Sequence, residues 1–402
     1  MRRGPIAAFL VTAAVMAGCL GGDGASPGLA VESERDIAFA LHSDFRQAGG
    51  NMVFSPHGAA LVLAMGFLGA RGNTQAEMSS ALGFSLPQND FHSSMSALDA
   101  ALRSRGDGLP EGAFLLHSAC GAWADQAFTV LPLYASGLST YYGAELARLD
   151  FVGDTEGARV AINDWIDAET GGRVPELLSP GAIDSDTVFV LGSAVTFQAE
   201  WLHQFGDPAF TADMDFTLLG GGTVQVPTMY GEMLATYGDG AGWKVVELPY
   251  VGEQVSMVLL LPDAGTFDAF ESALTAEVFD AAVAALGPTE TVRVVLPRFS
   301  FTSEHDLIPA LNAMGMTGAF APGADFSGID GSADGEPWID FIRQKVAISV
   351  DEYGTEAAAG TAMGGTCGVY PYFDAQRPFI FAVRDRETGA IIFMGRVVDP
   401  SA

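Results

Sequence analysis

The chain has 402 residues, of which 49% are hydrophobic and 10% aromatic, so it can build a large core and global disorder is excluded. A formal charge of −30 and a pI near 4.2 exclude attraction to a nucleic-acid backbone or to anionic lipid. The acidic residues are spread without a run of like charge, which points to solubility and not to a specific basic partner.

At the N-terminus, Arg2-Arg3 precede an apolar stretch from Ile6 to Met16 and then Ala17-Gly18-Cys19. This order of basic, apolar and small residues predicts a signal peptide over 1–18, too short to serve as a transmembrane helix. Cys19 directly after Ala-Gly resembles the lipobox of bacterial lipoproteins, which predicts lipidation at Cys19; plain secretion is the alternative. Both place the protein outside the cytoplasm, either held at the cell envelope by a lipid on Cys19 or secreted, with residues 19–31 as a flexible tether. Cys120 and Cys367 then remain, and they do not make a disulfide framework.

Ile37, Leu41 and Phe45 recur every four residues and predict an amphipathic helix over Glu32–Gln47. Asn51–Phe54 reads as a short strand. Ser55-Pro56 is an N-cap followed by proline, and the helix it opens is apolar on all sides over Ala59–Leu68, hence central and buried. Thr74-Gln75-Ala76-Glu77 has the pattern of a capping box that opens a short helix ending near Gly83. A strand is expected near Ala113–Trp123, a helix from Asp154 to Gly171-Gly172, and a long strand over Thr187–Trp201. Trp243–Pro249 and Gln254–Pro262 read as a hairpin. Val292–Thr302 reads as one strand, His305–Met314 as a helix and Phe341–Asp351 as a strand. Phe379–Arg384 and Ala390–Val398 close the chain as a hairpin. Helices early and strands late favour an α+β domain without internal repeats.

The strand over Phe341–Asp351 runs into Glu352-Tyr353-Gly354-Thr355-Glu356-Ala357-Ala358-Ala359-Gly360-Thr361-Ala362. From Glu356 onward this run has no bulky apolar anchor, so it is expected as an exposed loop. Its alternation nevertheless places Thr355, Ala357, Ala359 and Thr361 on one face, as in a strand. Every side chain on that face is small enough to be buried, so the loop could enter a sheet; a flexible Ala/Gly linker is the alternative. Six scattered histidines, no C-x-x-C, no P-loop and no G-x-S-x-G give no metal, cofactor or catalytic pattern. Asp325, Asp330 and Asp334 lack EF-hand spacing and read as a surface turn.

Several stretches together resemble the serpin family over residues 32–400. They include Asn51-Met52-Val53-Phe54-Ser55-Pro56, Leu68-Gly69-Ala70-Arg71-Gly72-Asn73-Thr74, Ile162-Asn163-Asp164-Trp165, Thr170-Gly171-Gly172-Arg173-Val174 and Glu247-Leu248-Pro249-Tyr250. Further on come Leu296-Pro297-Arg298-Phe299, Glu352-Tyr353-Gly354-Thr355-Glu356-Ala357-Ala358, Arg377-Pro378-Phe379 and Phe393-Met394-Gly395-Arg396-Val397. Their order and spacing make the match specific.

The resemblance implies a single α+β domain of three β-sheets and eight or nine helices, with an exposed reactive loop over 352–373. It implies a monomeric suicide inhibitor, not an enzyme. A serine-type protease cuts the loop, which then inserts into the central sheet with the acyl-enzyme attached. Hinge positions are Glu352, Gly354, Thr355, Glu356, Ala357, Ala358, Ala359, Gly360 and Thr361. The reactive bond falls at Cys367–Gly368 or, counted from the hinge, at Gly368–Val369. A small uncharged residue there suggests an elastase-like pocket; a cysteine protease is a second candidate target, and Cys367 could instead be a redox-sensitive thiol. Under the sheet the family usually has a small hydroxyl residue, an Asn and a His, where this chain has Gly58, Ser193 and Gln344 beside a retained Ser55. Gln344 cannot titrate near neutral pH as His does. The competing readings are a non-inhibitory serpin that binds or carries a ligand, and a hydrolase, for which no nucleophile–base pair is visible.

Overall fold

The computed structural model describes residues 27–174, 176–206, 208, 211–332, 337–355 and 370–402. The predicted signal peptide over 1–18, Cys19, the predicted hinge positions from Glu356 to Thr361 and the candidate bond residues Cys367, Gly368 and Val369 lie outside these. Among the described residues no helix is long and apolar enough to cross a membrane.

The first part of the chain is helical, with α1 (Pro27–Phe45), β1 (Met52–Phe54), α2 (Pro56–Gly69), α3 (Gly72–Ala81) and α4 (Gln88–Arg103). Then come β2 (Phe114–Asp125), α5 (Pro132–Tyr142), β3 (Leu146–Leu149), α6 (Thr155–Glu169) and β4 (Phe189–Glu200). Strands β5 (Ala212–Thr217), β6 (Thr223–Gly240), β7 (Trp243–Pro249) and β8 (Val255–Pro262) precede α7 (Phe267–Ser272) and α8 (Ala276–Ala284). After β9 (Glu290–Pro297) and β10 (Phe299–Asp306) lie α9 (Ile308–Ala313), α10 (Ser327–Asp330), β11 (Arg343–Val350) and the two-residue β12 (Gly354–Thr355). The chain ends with β13 (Tyr372–Asp374), β14 (Phe379–Asp385) and β15 (Ile391–Val397).

Three sheets result. One has the order β10-β11-β12-β4-β2-β3, a second β1-β15-β14-β8-β7-β6, and the third joins β5, β9 and β13 to the same β6. The 18 residues of β6 let one strand serve two sheets, pairing β9 over Thr228–Ala235 and β7 over Thr236–Gly240. Helix α2 sits at the centre. The Ser55 hydroxyl accepts from the Gly58 amide, Pro56 occupies the first turn, and the apolar surface is buried on every side. A smaller core of Trp123, Ile162, Ile166, Val174, Leu178 and Val190 joins α6 to the opposite face of the β4 sheet.

The α+β class and the three sheets agree with the sequence reading, but several details differ. Ten α-helices are present among the described residues, against the eight or nine that the resemblance implies; three of them, α7, α9 and α10, have six residues or fewer. The tether ends early: α1 begins at Pro27, and Ala30 and Val31 are buried, so residues 27–31 belong to the folded body. Thr74–Glu77 is no capping box. Helix α3 already begins at Gly72, Thr74 accepts from the Asp325 amide, and the Glu77 carboxylate receives the amides of Thr317 and Gly318 instead of its own helix. Val292–Thr302 divides at Arg298 into β9 and β10, which belong to different sheets. His305 therefore lies on β10, and α9 is confined to Ile308–Ala313. Helices α4 and α5 and the β5–β6 hairpin are additions to the sequence reading.

One polar group is buried among the helices. The His57 ring donates from Nδ1 to Glu34 Oε1 at 2.8 Å and from Nε2 to Asp99 Oδ1 at 3.1 Å. It thus ties α2 to α1 and α4, and Ser118 of β2 donates its hydroxyl to Asp99 as well. Burial alone would strip the proton from His57, but the carboxylates of Glu34 and Asp99 outweigh it and raise the pKa to about 10.

Candidate functional site: a parted sheet and its hinge

Strand β12 pairs Thr355 with Val350 of β11 and with Ala199 of β4, antiparallel to both. The flanking strands β4 and β11 therefore run parallel to each other, with β12 set between them at one end. Past Thr355 no ladder joins β4 to β11 among the described residues. The space between them is a cleft of about 910 Å³, reached by Gly58, Ala59 and Val62 of α2 from one side and by Ile162 and Ile166 of α6 from the other. A second, smaller pocket lined by Thr355, Phe197, Val195, Ile348 and Val346 continues the β12 position along the same gap.

The chain enters this gap through a fixed sequence of contacts. Tyr353 and Gly354 donate their amides to Asp351 Oδ1 at 2.9 and 3.2 Å, forming the turn out of β11. Trp201 donates Nε1 to the Asp351 carbonyl at 2.9 Å and stacks on Tyr250, with ring centroids 4.5 Å apart. The Tyr250 hydroxyl meets the Thr355 hydroxyl at 2.8 Å, and Thr355 is buried. Gly354 is required by space: a Cβ there would lie 2.0 Å from the Ala199 carbonyl oxygen.

Glu352 anchors the turn. Its side chain is buried, and both carboxylate oxygens accept from Arg298 Nε at 2.9 Å, while Oε1 also accepts from Arg298 Nη2 at 2.6 Å. The Thr211 hydroxyl donates to the same carboxylate. Burial would raise the Glu352 pKa, but the hydrogen bonds from Arg298 and Thr211 prevail and hold it below the ordinary value of 4.5. Because folding depresses this pKa, the contribution is complete above pH 4.5 and is lost as pH falls through the lowered value. Acidification below the ordinary carboxylate range is thus expected to release the turn and change the fluorescence of the Trp201–Tyr250 stack. Glu352→Gln should remove that acid-dependent step; an identical step in the variant would assign it elsewhere.

Halfway along the gap the structure brings together Ser55, Gly58, Ser193 and Gln344. Gln344 accepts from the Ser55 amide at 2.8 Å and donates to the Ser55 carbonyl at 2.9 Å. The Ser55 hydroxyl donates to the Ile392 carbonyl at 2.7 Å, and the Ser193 hydroxyl to the Gly58 carbonyl at 2.8 Å. A Cβ on Gly58 would approach Val195 at 3.1 Å and the Ser55 hydroxyl at 3.3 Å, so the glycine lets α2 lie close under β4. This cluster links α2 to both strands that border the cleft.

Residues 32–400 match the family described as Serpin (serine protease inhibitor). Human Serpin B8 is 37% identical over 357 residues, covering 87% of this chain and 93% of that protein. The chain is a serpin. Bovine leukocyte elastase inhibitor is 36% identical over 363 residues, with 87% and 93% covered. Among solved structures, human thyroxine-binding globulin complexed with thyroxine superposes with a TM-score of 0.82 at 26% identity, covering 93% of this serpin and 99% of that chain. Of the residues singled out in the sequence, Thr355, Ser55, Ser193 and Gln344 line one gap in this serpin, and Glu352 and Gly354 form the turn at its end. The Glu352–Arg298 pair and the Trp201–Tyr250 stack are not apparent from local sequence, because the ion pair spans 54 positions. The uncompensated glutamate at the start of a small-residue run is the signal that could have pointed to a buried cationic partner.

Proposed function

We propose that this serpin inhibits serine-type endopeptidases of the elastase-like class by suicide cleavage of its loop. The carrying observation is the seating of Gly354-Thr355 in strand register between β4 and β11 at the mouth of the cleft. Extending that register would place Ala357 opposite Ile348 and Phe197, Ala359 opposite Val346 and Val195, and Thr361 opposite Gln344 and Ser193. The face toward the core would then consist of small side chains, and the hydroxyl of Thr361 would arrive at the polar cluster. Insertion of about twelve residues at roughly 3.3 Å each would carry an attached protease about 40 Å, across the whole domain. Cys367–Gly368, or Gly368–Val369, is the bond proposed for cleavage. The elastase-like class rests on the small, uncharged residue there and on the likeness to leukocyte elastase inhibitor. We also infer export through residues 1–18 with a lipid on Cys19, testable by mass spectrometry of the mature N-terminus.

The test is incubation with pancreatic elastase. An SDS-resistant complex is expected, with mass spectrometry locating the cut at residue 367 or 368. If a panel of serine proteases cuts the loop and departs fully active, inhibition is refuted. The likeness to thyroxine-binding globulin favours the carrier reading as the alternative. Melting before and after loop cleavage separates the two: insertion adds a central strand and raises the midpoint, whereas a loop that stays out leaves it unchanged.

A further inference from the structure

Two kinds of contact hold α6 against the sheet. Along most of its length the hold is apolar: Ile162 and Ile166 share a core with Val190, and the Trp165 ring meets the Trp123 ring edge-on, with centroids 5.1 Å apart. At its last turn the hold is polar. His117 Nε2 on β2 meets Glu169 Oε2 at 2.8 Å, and the Thr196 hydroxyl on β4 donates to the Glu169 carbonyl at 3.5 Å. Just beyond, Arg173 donates to the Thr170 carbonyl at 3.2 Å and to Gln198 Oε1 on β4 at 3.3 Å. Lys345 of β11 donates to the Glu176 carbonyl at 2.8 Å. Ties to β2 and β4 on one bank of the gap and to β11 on the other therefore fasten the end of α6 and the chain that follows it.

These ties stand where a strand entering the gap arrives first. Thr170, Arg173 and Val174 line the pocket that continues the β12 position beside Thr355. Three more residues in the register of β12 would reach the level of Thr196 and Ala347, and Thr196 is the residue bonded to Glu169. The last turn of α6 must lift to admit them. The groups around the His117 ring are few: α6 carries Asp167 and Glu169 in its last turn, Arg173 follows, and β4 presents the uncharged Thr196 and Gln198. Imidazole side chains gain or lose their charge between about pH 5 and 8. A hydrogen bond from an imidazolium to a carboxylate is about twice as strong as a neutral one. The His117 side chain is 42% exposed, so it exchanges its proton with solvent while α6 stays seated. We propose that His117 is a positioning residue for loop insertion: charged, it pins the end of α6 across the mouth of the gap through Glu169, and neutral, it lets that end lift. Insertion is then faster at mildly alkaline than at mildly acidic pH. This rests on the reading that the cut loop enters between β4 and β11.

The test compares wild type with His117→Gln, which is always neutral, and His117→Arg, which is always charged. Amide hydrogen exchange over Glu169–Val174, corrected for the intrinsic effect of pH, reads the lifting of α6 without any protease. Wild type should open about threefold more often near pH 8 than near pH 5.5, the range expected of a partly exposed ion pair. His117→Gln should match the high value at both pH values, and His117→Arg the low one. Pancreatic elastase then reads the effect on insertion, because the excess of the stoichiometry of inhibition over one varies inversely with the insertion rate. For His117→Arg that excess should be about threefold above wild type near pH 8 and equal to it near pH 6. A pH step in exchange that persists in His117→Gln, or no step in wild type, would overturn the pin. The expected exchange pattern with an unchanged excess would overturn its role in insertion. If elastase cuts every variant and leaves fully active, the inhibitory reading falls and that role with it, while the exchange pattern still reports whether the pin exists.

Discussion

Thr355→Arg is expected to turn the protein from an inhibitor into a substrate. Thr355 is buried between Val350 and Ala199, with its hydroxyl on Tyr250 and its side chain toward the core. An arginine cannot take that place without burying an unpaired guanidinium, at an effective cost of several kcal/mol. The uncut protein avoids this by withdrawing the two residues of β12, which are few enough that the rest of the sheet survives. The cleaved loop cannot avoid it, because every later residue enters behind position 355. Each 1.4 kcal/mol added to the insertion barrier slows it about tenfold, so 3 kcal/mol slows it on the order of 100-fold while deacylation continues at its own rate. The expected outcome is a stoichiometry of inhibition rising from near one to well above ten, with cleaved protein and active elastase as products. Cleaved wild type should also melt later than uncut protein, and cleaved Thr355→Arg should not. A variant that still traps elastase one-for-one would refute insertion through the β12 position.

Some of this architecture is legible in the residues and some is not. Helix α2 is legible because Ser55-Pro56 sets its start and its surface is apolar on all sides, and a helix of that kind can only be central. Helix α6 is legible from Asp154, which caps it by accepting the Gly157 amide, and from the glycines that end it. Helix α4 carries the same kind of signal in Phe91, Met95, Leu98 and Leu102, spaced by four, three and four residues and all buried. The division at Arg298 carries only the weak signal of Pro297 between Val292–Leu296 and Phe299–Phe301, and nothing local says that the two segments enter different sheets. The candidate site divides in the same way. The small-residue run that begins at Gly354-Thr355 is legible because small side chains in a row are a local property. Its anchor is not, because Arg298 meets Glu352 only through the sheet topology. The polar cluster lies between these cases: Ser55 follows from helix capping, but its pairing with Gln344 spans 289 positions.

His57→Leu is expected to destabilise the protein by about 3–5 kcal/mol, for a reason that no local pattern reveals. In sequence His57 is one of six scattered histidines, with its partners 23 and 42 positions away. In the fold it is the cation between two buried carboxylates. Asp99 keeps Arg103 at 2.9 Å and the Ser118 hydroxyl after the substitution, whereas Glu34 Oε2 has no hydrogen bond and Oε1 is left without His57. Glu34 must then stay charged without a partner or take up a proton, and either course costs free energy. Glu34→Leu/His57→Leu should recover much of the loss, since replacing both members of a buried pair by apolar groups leaves no orphaned charge. The pH dependence gives a separate readout. With the folded pKa raised from 6.5 to about 10, the stabilisation from protonated His57 is complete below 6.5, declines above it and is gone above about 10. Wild type should therefore lose denaturant resistance across that alkaline window, with less of that slope in the double variant. Equal slopes in the two proteins, or a single variant as stable as wild type, would show that the ring does not carry the charge that joins α1, α2 and α4.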